Sequence, residues 1–216
     1  THLDRDAVSA MPQLPPPHTI DTDGLLDKFE AVAFESEFGR TGGKSDNHAL
    51  SKWDGPLRIA VTAAAGIELP SYWPLLRSHL QHLSALAGLA ILISEDPPEP
   101  NIQLNFVPRR VMRTRTFEMF GKTLAAQHMS RIGRCIAATY TNDENAIRKA
   151  VVYISVDLPA EQVAGCIIEE NVQALGLLND SNKLRPSLFS DRDTLPGMPW
   201  YDEILVATLY DARLKS

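Results

Sequence analysis

No apolar run in this sequence approaches the length needed to cross a bilayer, which excludes a membrane-spanning helix. Cysteine is nearly absent. Only Cys135 and Cys166 occur, and their number alone does not choose between buried thiols and a bridge. Positive charge is in deficit, with 21 Lys and Arg against 27 Asp and Glu for a net charge of −6. That balance argues against nucleic acid as a partner. Histidine is thinly spread. His79 and His82 stand three apart, whereas His2, His18, His48 and His128 show no paired spacing. Because His79 falls on an apolar helical stripe, a hydrogen-bonded core residue is expected there rather than a zinc ligand. No signal peptide is visible, and a chain starting at Thr1 rather than Met is expected to be processed or trimmed.

What remains is ordinary globular material. With 216 residues, 44% hydrophobic and 22% charged, the chain suits one sizeable domain with a tail and can build a core without metals or staples. Residues 1–20 hold Pro12, Pro15, Pro16 and Pro17 and read as an extended tether ahead of a single domain over 21–216. A helix capped by Asp21 or Thr22 is expected next, then a loop over 39–47.

Alternation predicts strands at Leu57–Thr62 and Asn101–Val107, and a helix at Ser71–Ala87 ending on Gly88. The continuous run Leu89–Ile93 predicts a strand buried on both faces. A short helix fits within 108–129, where Arg109, Arg110, Arg113 and Arg115 form a run expected to pair with local carboxylates. Strands at Arg131–Tyr140 and Ile147–Val156 flank the turn 141–145. A helix from Pro159 to about Leu175 and a last one at Trp200–Leu214 complete an α/β (α+β) domain with a mixed sheet of about five strands.

One segment carries a chemical pattern: Glu169–Ser181, E-E-N-V-Q-A-L-G-L-L-N-D-S. In H-E-x-x-H-x-x-G-x-x-H, two histidines four apart share one helix face and bind one metal. The intervening glutamate is general base on the metal-bound water, and the glycine turns the chain so that a third ligand returns. Glu169, Glu170, Gln173, Gly176 and Asn179 fall on the defined positions without a gap. Only Glu170 and Gly176 keep the residue type. The three ligand positions hold Glu, Gln and Asn, whose oxygen donors suit zinc poorly.

Leu175-Gly176-Leu177, Asp180-Ser181 and the closing helix with Leu209-Tyr210 resemble the matrixin branch of the metzincin peptidases; Ser187-Leu188-Phe189-Ser190 stands near where the methionine turn lies, without a methionine. The likeness covers Trp53 to Leu214 and is tight over 166–214. Cys166-Ile-Ile-Glu-Glu, Ala-Leu-Gly-Leu, Asn-Asp-Ser, Pro-Ser-Leu-Phe-Ser-Asp and Leu-Tyr-Asp resemble more closely still the bacterial family called domain of unknown function 2927, described as lipoproteins of the cell envelope. The resemblance implies a periplasmic or envelope location and a lipidated N-terminus that tethers the domain to the membrane. It implies a Cys135–Cys166 disulfide and supplies no activity. It also implies a metzincin-like twisted sheet with Asn179 returning toward Glu169 and Gln173. The expected function is that of a pseudo-peptidase: no zinc or other cofactor, Glu170 a remnant base, and an envelope protein or peptide as partner. A hydrolase with non-histidine ligands is the alternative. Oligomeric state is not legible.

Overall fold

The computed structural model describes residues 21–34, 49–67, 69, 71–121, 134–183, 185–190, 193, 195 and 197–215. The proline-rich segment, the loop over 39–47 and His2, His18, His48 and His128 lie outside them.

Helix α1 spans Thr22–Phe34, and the Asp21 carboxylate accepts the Gly24 N–H at 3.1 Å, an N-terminal cap. Strand β1 is Leu57–Ala63 and helix α2 is Trp73–Ala87, ended by Gly88 at φ 65°. Strands β2 (Ile91–Ser94) and β3 (Ile102–Val107) lead into α3 (Arg109–Phe120), so the ambiguous arginine run is helical from its first residue. The hairpin β4 (Cys135–Thr141) and β5 (Ile147–Ser155) is tied at its turn by the Asn142 side-chain Oδ1, which accepts the Glu144 and Ala146 N–H groups. Helices α4 (Ala160–Gln173) and α5 (Trp200–Leu209) follow.

The strands form one sheet in the order β2-β1-β3-β5-β4, parallel except for β4. This is the five-stranded mixed sheet with a motif helix and a C-terminal helix expected above. Leu57, Ile59, Leu104, Phe106, Val152 and Ile154 share one face and build the main core with α1, α2, α4 and α5. On the other face α3 seats Met112 and Met119 over Ile136, Ala138 and Val151.

Two expectations are corrected. Strand β2 is not buried on both faces: it is the sheet edge, and Leu92 is 50% exposed. A short run of apolar residues looks the same at an edge and in the middle. The last helix stops at Leu209 rather than Leu214, because the Lys52 ammonium gathers the carbonyls of Leu209, Asp211 and Leu214 and turns the chain there.

Cys135, opening β4, is disulfide-bonded to Cys166 in the middle of α4, with Cα atoms 5.8 Å apart. The bridge pins the motif helix to the antiparallel edge of the sheet. It closes a loop across a sequence separation of 31 residues. The double variant Cys135→Ala, Cys166→Ala is expected to lose roughly 3.5 kcal/mol by the chain-entropy model. Urea unfolding of variant and parent checks this, and equal midpoints would contradict it.

Candidate functional site

The site is organised by how α4 ends. Its last carbonyls are taken by Ala174, Leu175 and Gly176, whose N–H groups bond Glu170, Val172 and Gln173. Gly176 sits at φ 125°, where a β-carbon would run into the Ser51 carbonyl oxygen. The turn is also held from outside. The Trp53 indole donates to the Ala174 carbonyl at 2.9 Å, and the Tyr210 hydroxyl donates to the Leu175 carbonyl at 2.8 Å. The glycine of the motif therefore performs the sharp reversal that its position implies.

Beyond the turn the chain returns to α4, where the Asp180 carboxylate accepts the Gln173 amide at 3.2 Å. Asn179 also reaches α1: its backbone and side-chain N–H groups both donate to the Val32 carbonyl, each at 3.3 Å. Among the described residues no group of three or more His, Cys, Asp or Glu side chains is placed to hold a metal. Glu169, Gln173 and Asn179 offer no imidazole or thiolate, so the residues present fit a zinc ion poorly.

The motif helix is more deeply buried than its pattern implies. Its polar side is not a solvated face, because Cys166, Glu170 and Gln173 are all buried and only Glu169 is half-buried. Glu170 is 3% exposed, and its Oε2 accepts no hydrogen bond from the described protein. Burial, then the neighbouring Glu169 and Asp180 charges, push its carboxyl well above the ordinary range. The shift is toward the neutral form of the carboxyl.

Beneath the turn lies a charged cluster outside the motif. Lys28 of α1 is fully buried, donates from its ammonium to the Ser181 carbonyl, and lies 5.7 Å from the centre of the Phe189 ring. Burial lowers its pKa to about 8, against the opposing pull of Asp202, Asp180 and Asp193. Asp202 of α5 is also fully buried. Its two oxygens accept the Ser187 hydroxyl at 2.9 Å and the Leu188 N–H at 2.7 Å, and burial raises its pKa to about 6. Asp202 thus holds the Ser187–Ser190 turn, and Ser181 N–H closes the circuit by bonding the Phe189 carbonyl.

A sequence signal for both residues exists: each is a charge on an apolar stripe. Lys28 follows the spacing of Leu25, Phe29 and Val32, and Asp202 that of Leu205, Val206 and Leu209.

The remaining candidates are structural. His79 is buried and bonds the Ile168 carbonyl at 3.0 Å, and burial lowers its pKa to about 4, so it is a neutral core residue. His82 pairs with Glu203 at 3.0 Å. Of the arginine run, Arg115 pairs with Glu118 at 2.7 Å, and the Arg109 N–H donates to Asp157.

Two expected outcomes follow from these charges. A carboxyl whose folded pKa is raised binds its proton more tightly when folded, so its contribution is complete below the ordinary 4.5 and is lost as pH rises. Glu170→Gln removes that loss. The stability of the variant relative to the parent should therefore climb with pH above 4.5, and a difference that stays flat from acid to neutral pH would contradict the assignment. Asp202→Ala leaves the Ser187 hydroxyl and the Leu188 N–H without their acceptor and removes a negative charge near the Lys28 ammonium. The loss should reach roughly 3–5 kcal/mol in denaturant unfolding, and a change under about 1 kcal/mol would refute the anchoring role.

No curated protein matches this chain. Among solved structures, the structure of myroilysin matches with a TM-score of 0.40 and 13% identity, covering 76% of this chain and 97% of that one. The family model described as "Protein of unknown function (DUF2927)" matches residues 22–216. The chain belongs to the DUF2927 family.

Proposed function

We propose that this chain is a non-catalytic, metzincin-like domain of the cell envelope, a pseudo-peptidase that holds an extended protein segment along its remnant cleft or the β4 edge beside it. The observation that carries the reading is the donor set itself: Glu169, Gln173 and Asn179 stand where a zinc site needs imidazole or thiolate ligands. A zinc peptidase takes both its nucleophile and its carbonyl polarisation from the metal. Glu170, buried beside a donor set of Glu, Gln and Asn that suits zinc poorly, lacks the metal-activated water on which such a base acts. Strand β4 stands at the antiparallel edge of the sheet, where an added strand gains main-chain hydrogen bonds without any catalytic group. The proline-rich segment acts as the tether that holds the domain near a membrane.

Two measurements test the reading. Chelator-stripped protein supplied with zinc, calcium or manganese should leave a mixed peptide library intact, and metal-dependent cleavage abolished by Glu170→Ala would make the chain a hydrolase. Peptides selected from a display library should slow amide exchange in Cys135–Thr141, the β4 strand. Tight binders that protect neither this strand nor the motif helix would remove the proposed surface.

A further inference from the structure

The arginine run lies on the opposite side of the sheet from the motif helix, and the reading above gives it no role. Helix α3 holds four arginines and one glutamate. Met112, Thr116 and Met119 are its buried residues, so at 100° per residue Arg110, Thr114 and Phe117 fall on the outward crest, with Arg113 at its flank. Glu118 pairs with Arg115, and Asp157 accepts the Arg109 N–H. Among the described residues no carboxylate pairs with Arg110 or Arg113, and both are exposed. The sequence supplies no neutralising charge nearby. No Asp or Glu occurs between Glu118 and Asp143, whereas residues 109–142 carry seven Lys and Arg in a chain of net charge −6. Lys149 of β5 adds to this side of the sheet, two residues before Val151, which packs under α3.

We propose that the outer face of α3 docks on a surface of anionic phospholipid headgroups, with Arg110 and Arg113 as its phosphate contacts. Charge complementarity sets the sign of the partner, because an acidic chain that gathers its cations on one face attracts anions there alone. Guanidinium groups take phosphate oxygens in pairs, and a cluster of this size is the footprint of an anionic lipid surface. Shape narrows the choice. Helix α3 lies on the sheet as a ridge, which can rest along a plane of headgroups and offers no groove to an extended acidic peptide. The rings argue against nucleic acid. Arg113 lies over Phe117 at 5.4 Å, Arg115 over Tyr153 at 5.8 Å and Lys149 over Tyr140 at 6.0 Å. Each ring already carries its own cation, and Tyr140 and Tyr153 pack on the core under α3, so little open ring is left for a base to stack on. The same pairs set an apolar body beside each charge, as residues at a membrane–water boundary require.

Co-sedimentation of the full chain with unilamellar vesicles tests this. The protein should bind vesicles of phosphatidylcholine mixed with phosphatidylglycerol, ignore phosphatidylcholine alone, and come off as salt rises. Arg110→Gln combined with Arg113→Gln should weaken that binding roughly thirtyfold, the effect of two cations near such a surface. Circular dichroism of the variant should be unchanged, because both side chains are exposed. A second variant separates the face from net charge. Arg77→Gln combined with Lys183→Gln removes two exposed cations outside α3 and should bind like the parent. Polyglutamate, an acidic chain without phosphate, should not displace the protein from the vesicles. A parent that ignores anionic vesicles, binds both kinds equally, or is indifferent to the loss of Arg110 and Arg113 would overturn the inference. So would an equal loss in the Arg77–Lys183 variant, or displacement by polyglutamate, which would assign the face to an acidic protein.

Discussion

A single buried ammonium joins the parts of this molecule that matter for its site. Lys28 reaches from α1 to the Ser181 carbonyl with Asp180, Asp193 and Asp202 around it. Burying a charge is costly unless bonds and opposite charges compensate, so these groups cannot be placed independently. Lys28 positions the loop after Gly176, and Asp202 positions the Ser187–Ser190 turn beneath it. The Phe189 carbonyl, bonded by Ser181 N–H, links the two. In a zinc peptidase a metal would gather this loop against the motif helix. Here α1 does so, through Lys28 at Ser181 and through the Val32 carbonyl at Asn179.

This arrangement accounts for the survival of a motif frame without its ligands. Gly176 is kept by backbone geometry, since any β-carbon would strike Ser51. Glu170 sits where burial and the neighbouring Glu169 and Asp180 charges disfavour its ionised form. The three buried titrating groups also shape stability with pH. Asp202 and Glu170 favour folding in acid, because each binds its proton more tightly when folded. Lys28, lowered from 10.5 to about 8, binds its proton less tightly when folded, so its contribution rises with pH across that window.

Much of the fold was legible because period and punctuation agreed. Alternation located β1 and β3, the Asn142 turn located the hairpin, and Gly88 and Gly176 marked two helix ends. Position within the sheet was not legible, so the apolar run of β2 was read as central when it lies at the edge. The end of α5 was overrun because the capping ammonium comes from Lys52, 157 residues away from Leu209. In the site, the spacing located α4 and its turn, and the resemblance pointed to the cysteine bridge. It did not show the Asp180–Gln173 contact or the bonds from Asn179 to Val32, which depend on where α1 lies. Lys28 and Asp202 carried a signal as charges on apolar stripes, and a search limited to histidine, cysteine and the motif passed over them.

The central claim of the proposed reading is that α1 and its lysine hold the loop after Gly176 in place without a metal. Elemental analysis of the purified native protein, combined with its melting temperature before and after exhaustive chelation, tests this most directly. The account predicts substoichiometric zinc and a melting temperature that chelation does not move. One zinc ion per chain, with a melting temperature that falls on its removal and recovers on its return, would contradict it.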